Sequence, residues 1–209
     1  MRDEAFELFV EKFGEATISR FVSEEEIDKW RGKLPELLLT YWHNEGWSSY
    51  YNGLFTIVDP DDYEDIVDEW LENTYLEEID SFHAIAINGF GNIYLCGERT
   101  GQCVVINTAF NTLFVQTKEL KKQHTEKSLN ISIETLFAFS KIDRHSKEGL
   151  FEKAVKKLGP LGDNEIFGFE PAIILGGELD IKHIQKVDAR IHLSILAQLA
   201  EPEINEINI

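Results

Sequence analysis

Apolar residues in the first 50 positions recur at helical spacing, and residues that begin or end helices separate them. The apolar residues of the first helix share one face: Phe6, Phe9, Val10 and Phe13. Gly14 follows them, and glycine is typical of a helix C-terminus. Ser23, with Glu26 three positions later, predicts a capping box at the start of a helix over 24–30. A third helix is predicted over 35–46, from a proline to a glycine.

Alternation of apolar and polar residues replaces helical spacing in two later segments. The segment WSSYYNGLFTIV, residues 47–58, is aromatic and β-branched and predicts two strands that turn at Asn52-Gly53. Residues 81–117 contain four apolar runs separated by the turn sequences NGFG, GERTG and TAFN. Short turns between such runs predict an antiparallel meander.

The segment 60–72 combines a complete apolar stripe with an unusually acidic polar face. Its apolar positions fall on one helical face: Tyr63, Ile66, Val67, Trp70 and Leu71. Asp61 and Asp62 lie in the first turn, where the helix dipole favours carboxylates. Asp65, Asp68, Glu69 and Glu72 lie beyond that turn and repel one another. Their face is therefore either a solvated surface or a surface for a partner.

The C-terminal part is predicted to be mainly helical. The polar segment 118–130 is the candidate boundary, Ser132 is predicted to cap one helix, and Ser146 is predicted to begin another over 147–158. Residues 166–175 predict a buried strand or strand pair, and Asp180 is predicted to open a final helix. The inward residues of that helix are predicted to be Ile181, Ile184, Val187, Ile191 and Ile195. The last nine residues are predicted to be frayed.

These elements predict an α+β fold. A helical N-terminal lobe would pack on the antiparallel β-meander, and a smaller, mostly helical C-terminal lobe would follow. The 43% of apolar residues is sufficient for a core. No apolar run approaches the about 20 residues that span a bilayer, and the first residues, MRDEAFELF, are too acidic for a signal peptide. A soluble cytoplasmic protein without membrane contact is expected.

The net charge of −18 is concentrated at one end of the chain. Residues 1–80 carry 22 Asp and Glu against 6 Lys and Arg, whereas residues 81–209 carry 16 against 14. A surface of one sign attracts molecules of the opposite sign and repels phosphate backbones. The charge distribution therefore predicts a basic protein as partner and argues against nucleic-acid binding.

Residues with catalytic or metal-binding chemistry form no recognisable motif. Cys96 and Cys103 flank a predicted turn and are expected to be reduced strand residues. The histidines show no metal-ligand spacing, so no metal or cofactor is expected. Asp188 and His192, four residues apart, are interpreted as a helix-surface ion pair, with a general base as the alternative. The sequence therefore predicts a binding protein without enzymatic activity, and a hydrolase using His192 or Cys103 remains a minor alternative.

Two segments resemble known bacterial families. Residues 33–74, KLPELLLTYWHNEGWSSYYNGLFTIVDPDDYEDIVDEWLENT, with the continuation FHAIAINGFGNIYLCGERTG, closely resemble the GAD-like domain. The residues that carry this resemblance are Leu34-Pro35, Trp42, Gly46-Trp47, Asn52-Gly53-Leu54-Phe55, Pro60, Tyr63 and Trp70. Residues 165–199 are similar to the C-terminal domain once catalogued as DUF1851, now associated with Tdi1-type immunity proteins. The resemblance implies a GAD-like domain over 1–120 and a Tdi1-type C-terminal domain over 131–201.

The resemblance implies a function in type VI secretion, in which immunity proteins neutralise secreted DNase toxins. An immunity protein would occlude the basic active or DNA-binding site of its toxin with an acidic surface. The candidate partner-binding residues are Asp61, Asp62, Asp65, Asp68, Glu69, Glu72, Trp47, Tyr50 and Tyr51. A toxin of another class, such as a peptidase or deaminase, and a small-molecule-sensing module stay open as alternatives. The oligomeric state is left open.

Overall fold

The computed structural model describes residues 2–208. The helices are α1 Glu4–Phe13, α2 Glu24–Trp30, α3 Glu36–Glu45, α4 Glu64–Leu71, α5 Leu76–Ile79, α6 Thr117–Lys121, α7 Glu126–Ala138, α8 Ile142–Ser146, α9 Leu150–Leu158 and α10 Ala189–Ala197. The strands are β1 Ile18–Arg20, β2 Trp47–Tyr50, β3 Phe55–Ile57, β4 Phe82–Asn88, β5 Ile93–Gly97, β6 Gly101–Asn107, β7 Thr112–Gln116, β8 Glu165–Phe169, β9 Ile184–Asp188 and β10 Glu203–Ile207.

The strands form one large sheet and one separate hairpin. The large sheet has the order β1-β2-β3-β4-β5-β6-β7-β10, and its neighbours are antiparallel except for the parallel pair β7 and β10. Strands β8 and β9 pair with each other. Helices lie against this largely antiparallel sheet, so the predicted α+β fold and its meander are confirmed.

The N-terminal helices begin and end where their local signals predict. The Ser23 hydroxyl and the Glu26 carboxylate form the predicted capping box at the start of α2. Gly14 and Gly46 follow α1 and α3 with positive φ, a conformation that costs glycine little. The strands β2 and β3 turn at Asn52-Gly53 as predicted.

Both faces of the sheet are covered, and the C-terminal part of the chain contributes to both. One cluster joins Phe9 and Phe55 with Phe137 and Phe167. The cluster on the other side joins residues of α4, β4 and β6 with Ile166, Leu193 and Leu196. The apolar residues beyond 130 therefore complete the core on each side of the sheet.

The helices between 117 and 158 differ from those predicted. The segment 118–130 is largely helical, because α6 occupies its start and α7 begins at Glu126, capped by Thr125. Ser132 does not cap a helix; it lies inside α7, where its hydroxyl accepts from the Gln102 amide at 3.0 Å. Ser146 ends α8 instead of starting a helix, because the residues 147–149 have positive φ and separate α8 from α9.

The predicted helix from Asp180 is wrong. Residues 181–183 form a 3-10 turn, β9 follows, and only then does α10 begin, capped by the Asp188 carboxylate. The residues of α10 that point inward are Ala189, Leu193 and Leu196, while Ile191 and Ile195 point outward. A strand and a shorter helix therefore replace the single helix predicted from Asp180. The end of the chain is not frayed either, since β10 pairs in parallel with β7; residue 209 lies outside the described residues.

Candidate functional site

The acidic segment 60–72 folds as a 3-10 turn followed by α4. The Asp59 carboxylate accepts from the Asp61 amide at 3.2 Å and begins the turn, and Pro60 occupies its first position. Ile66, Val67 and Trp70 are buried against the sheet. The apolar stripe thus lies inward as predicted and leaves the carboxylates on the outer side.

The carboxylates at the start of this segment are paired within the chain. Asp61 binds Lys29. Asp62 lies between two arginines, 3.1 Å from Arg190 and 3.5 Å from Arg20. Paired carboxylates are partly neutralised, so Asp61 and Asp62 contribute less to an attractive field than their formal charges suggest.

The carboxylates beyond the first turn are different. Asp65, Asp68 and Glu72 are exposed, and none of them forms an ion pair with a residue in the range 2–208. Partial burial raises the pKa of Asp68, and the negative charges of Glu64 and Asp65 raise it further. Glu64 is paired with His83, but Asp65 and Asp68 have no such partner among the described residues, so a cation from outside would stabilise them.

Glu69 is the carboxylate of this row that contacts another element. Its Oε1 accepts from the Gln198 side chain at 3.4 Å, and its Oε2 is buried without a partner among the described residues. Gln198 directly follows α10, so Glu69 belongs to the contact between α4 and α10 more than to a free surface.

The three candidate aromatic residues do not form one surface. Tyr50 is fully buried, and its hydroxyl donates to Glu45 at 3.5 Å. Trp47 is 6% exposed and lies under the Arg20 guanidinium at 4.4 Å. Tyr51 is partly exposed, but it packs edge-on against Phe13 in the cluster on the opposite face of the sheet from α4. The aromatic residues are therefore core and packing residues in this conformation.

A polar cleft of about 380 Å³ lies beside the start of α4. Its lining includes the hydroxyls of Ser49 and Thr56, which are hydrogen-bonded to each other at 2.8 Å. Arg20, Asp62 and Arg190 also line it. No sequence pattern indicates this cleft, because its residues come from segments more than 100 positions apart.

His83 of β4 forms a buried charged cluster that the sequence did not reveal. Its Nδ1 lies 2.8 Å from Glu64 and its Nε2 lies 3.3 Å from Glu98, while its ring packs edge-on against Trp30. Burial alone would lower the pKa of His83, but the hydrogen bonds and charges of the two glutamates outweigh it and raise the pKa above 6.5. The charged imidazolium can donate from both nitrogens, which suits this position between two carboxylates.

Replacing His83 by Gln is expected to lower the free energy of unfolding most at about pH 5 to 6. Because the folded pKa is raised, the stabilising contribution is complete below the ordinary histidine pKa and is lost as pH rises through the folded value. Urea unfolding of both proteins across pH 5 to about 9 measures the difference. His43→Gln, at an exposed imidazole, is the control. A difference that stays constant with pH would contradict a charged His83.

The structure does not arrange Asp188, His192 or Cys103 as the general base or nucleophile that the sequence left open. Asp188 caps α10 through the Ile191 amide and makes no ion pair with His192 among the described residues, so that interpretation is wrong. Burial lowers the pKa of His192. Cys96 and Cys103 are free and buried, and burial raises the pKa of Cys103 to about 11, away from the range of an activated thiolate. Residues 2–208 hold no group of three or more metal-ligating side chains.

The family of the chain is established by a match over its N-terminal half. Residues 4–110, just over half of the 209 residues, match the family model for the GAD-like domain. The chain belongs to the GAD-like domain family. Residues 132–200 match a second family model, T6SS immunity protein Tdi1, C-terminal. Both resemblances seen in the sequence are confirmed, and the second match supports a role as a type VI immunity protein.

The fold of this GAD-like protein is also similar to a solved structure. The crystal structure of Atu4351 from Agrobacterium tumefaciens matches with a TM-score of 0.84 at 21% sequence identity, covering 98% of this chain and 93% of that chain. At that identity the likeness concerns the fold alone. No curated protein matches the sequence. Across 2–208, the helices are all too short or too polar to cross a membrane.

The two matched regions meet at the acidic helix. Helix α4 lies in the GAD-like region, and α10 lies in the region matched to the Tdi1 C-terminal family. Trp70 of α4 donates from its indole nitrogen to the Leu193 carbonyl of α10 at 3.1 Å. Two further contacts join the ends of these helices: Asp62, just before α4, pairs with Arg190, and Gln198, just after α10, donates to Glu69. The candidate surface is therefore supported by both regions.

Proposed function

We propose that this chain is an immunity protein that binds and neutralises a secreted bacterial toxin, and that the toxin is a type VI DNase. The observation that carries the proposal is a row of exposed carboxylates without an ion-pair partner in residues 2–208: Asp65 and Asp68 on α4 and Glu72 directly after it. The match of residues 132–200 to the Tdi1 C-terminal family supports the choice of toxin. The chain acts by binding, without enzymatic activity and without a cofactor.

The acidic face fits a nuclease because a groove that binds DNA must be basic. Carboxylates that approach such a groove make the contacts that phosphates would otherwise make, so the immunity protein and DNA compete for it. Attraction between opposite charges also speeds association, which matters when a toxin must be captured before it cleaves the chromosome. Because the chromosome is cytoplasmic, we place the neutralisation in the cytoplasm. The chain itself binds neither DNA nor membrane in this proposal.

Co-expression with the toxin tests the proposal. The open reading frame beside this gene is expressed from an inducible promoter in a host that lacks both genes, with and without this chain. We expect loss of viability and DNA degradation with the neighbour alone, and survival when this chain is present. Survival must depend on a complex that co-purifies at stoichiometric ratio. A toxic neighbour that this chain neither binds nor neutralises would contradict the proposal.

A second candidate function rests on the polar cleft. Its volume and its two arginines, Arg20 and Arg190, suit a small polar ligand, and such a ligand would make the chain a sensing or regulatory module. A thermal-shift screen of metabolites on the wild-type chain and on Arg190→Gln separates the candidates. Stabilisation of the wild type alone would favour ligand sensing, and no stabilisation would leave the cleft a structural ion-pair cluster.

A further inference from the structure

The outward face of α10 is apolar, although nothing within residues 2–208 covers it. Ile191 and Ile195 lie four residues apart on that face, and 64% and 52% of their surfaces are exposed. Residues four apart on a helix are neighbours on its surface, so the two isoleucines form one continuous patch. The core-facing residues Ala189, Leu193 and Leu196 lie on the opposite side. Burial in the core therefore does not explain the isoleucines.

One flank of this patch is the acidic face of α4. The two helices run in the same direction, because Asp62 binds Arg190 at one end and Glu69 binds Gln198 at the other. Asp65 lies four residues before Glu69 within α4, which places it on the same side of the helix as the contact of Glu69 with Gln198. The patch thus has an exposed carboxylate, without an ion-pair partner in residues 2–208, along one edge.

The other flank of the patch is apolar. The 3-10 turn Ile173–Leu175 lies beside α10, since Ala172, Ile173, His192 and Leu196 line one small cavity. In the same turn, 41% of Ile174 and 63% of Leu175 are exposed. Exposed apolar residues that cluster beside a charged border are typical of a protein interaction site rather than of ordinary surface.

We propose that the isoleucine patch of α10 is the apolar centre of the toxin-binding surface and that the α4 carboxylates are its charged edge. The proposal rests on the function proposed above and adds residues from the C-terminal region to it. In stable interfaces a few apolar anchors provide most of the affinity, while charged residues at the edge provide orientation and speed. The occupant is a toxin surface whose apolar side chains have lysine or arginine along one side.

The charge distribution argues for this occupant over a second copy of the chain. In a symmetric dimer built on the patch, each copy would present the same surface to the other. The acidic edges of both copies would then lie in one interface, and the cation at that edge, Arg190, is already paired with Asp62. A basic partner meets the same edges with opposite charge. The patch and its edge together therefore select a basic partner.

The test compares two kinds of variant in binding to one partner. The partner is the product of the adjacent open reading frame, purified with its nuclease residues substituted. We expect Ile191→Ser combined with Ile195→Ser to weaken the complex by about 30-fold or more, as for interface anchors. We expect the weaker binding to appear as faster dissociation and to persist at high salt, because the two substitutions remove apolar contact. Ile131→Ser, at an exposed isoleucine of α7, is the matched control and leaves binding unchanged.

The outcomes separate this inference from the proposed function. If the wild-type chain does not bind the partner, both fail. If the wild-type chain binds and the double serine variant binds equally well, the patch proposal alone is overturned. If the wild type is a dimer in solution and the variant is a monomer, the patch serves a second copy, which also overturns it. Equal melting temperatures of the variants and the wild type establish that all of them are folded.

Discussion

Reversing the charge of Asp65, Asp68 and Glu72 to lysine is expected to slow association with the toxin by about 10- to 100-fold at low salt. These carboxylates are exposed and form no ion pair within residues 2–208, so no contacting cation neutralises them before the toxin arrives. The association rate of the wild type falls steeply as salt is added, whereas that of the variant hardly changes. Stopped-flow or biosensor kinetics at several salt concentrations measure both slopes.

A second triple variant separates a local effect from the effect of net charge. Glu4, Glu7 and Glu11 are exposed on α1, and their replacement by lysine changes the net charge equally. Helix α1 packs against the opposite face of the sheet from α4, so we expect this variant to retain most of the association rate. If both variants slow association equally, the association rate depends on the net charge of the chain and not on the position of the carboxylates. Unchanged kinetics in the α4 variant would remove the acidic face from the interface.

The N-terminal half of the fold could be predicted because its signals are local. The capping box of Ser23 and Glu26 and the glycines after α1 and α3 each depend on residues within one helical turn. The turn at Asn52-Gly53 is equally local. Such signals do not depend on the rest of the structure, and they placed these elements within a residue or two.

The C-terminal half could not be predicted in the same way. The isoleucines at 184, 191 and 195 suggest one inward stripe, but Ile184 pairs in a strand and is fully buried, while the other two point outward. What decides this is the pairing of β9 with β8, which holds residues 184–188 in a strand. The pairing of β10 with β7 likewise joins residues about 90 positions apart. Local spacing contains no information about such contacts.

The candidate site was predicted only in part for the same reason. The helix-dipole argument distinguishes Asp61 and Asp62 from the later carboxylates, and in the structure the first two are paired while Asp65, Asp68 and Glu72 are not. The cations that make those pairs come from distant segments: Arg20, Lys29 and Arg190. Periodicity alone could not identify them. The apolar patch beside the carboxylates depends on the position of α10, so periodicity could not identify it either.

Replacing Trp70 by Ala is expected to cause the largest loss of stability, about 3–5 kcal/mol. The side chain is 1% exposed, and it fills the space between α4, the sheet and α10. Its indole nitrogen also donates to the Leu193 carbonyl, so the variant loses both apolar contact and a buried hydrogen bond. Urea unfolding of wild type and variant gives the difference in free energy directly.

Trp70→Phe separates the two contributions, because phenylalanine retains most of the apolar contact but cannot donate a hydrogen bond. We expect the phenylalanine variant to lose less free energy of unfolding than the alanine variant, with a difference of about 2 kcal/mol between them. Trp70 contacts residues of both matched regions, so the loss should lower the stability of the whole chain in one transition. If the alanine variant instead unfolds in two transitions, with residues 132–200 retaining their stability, the contact between α4 and α10 does not couple the two regions. In that case the acidic face and the isoleucine patch would not be held as one surface, and a partner would have to order them on binding.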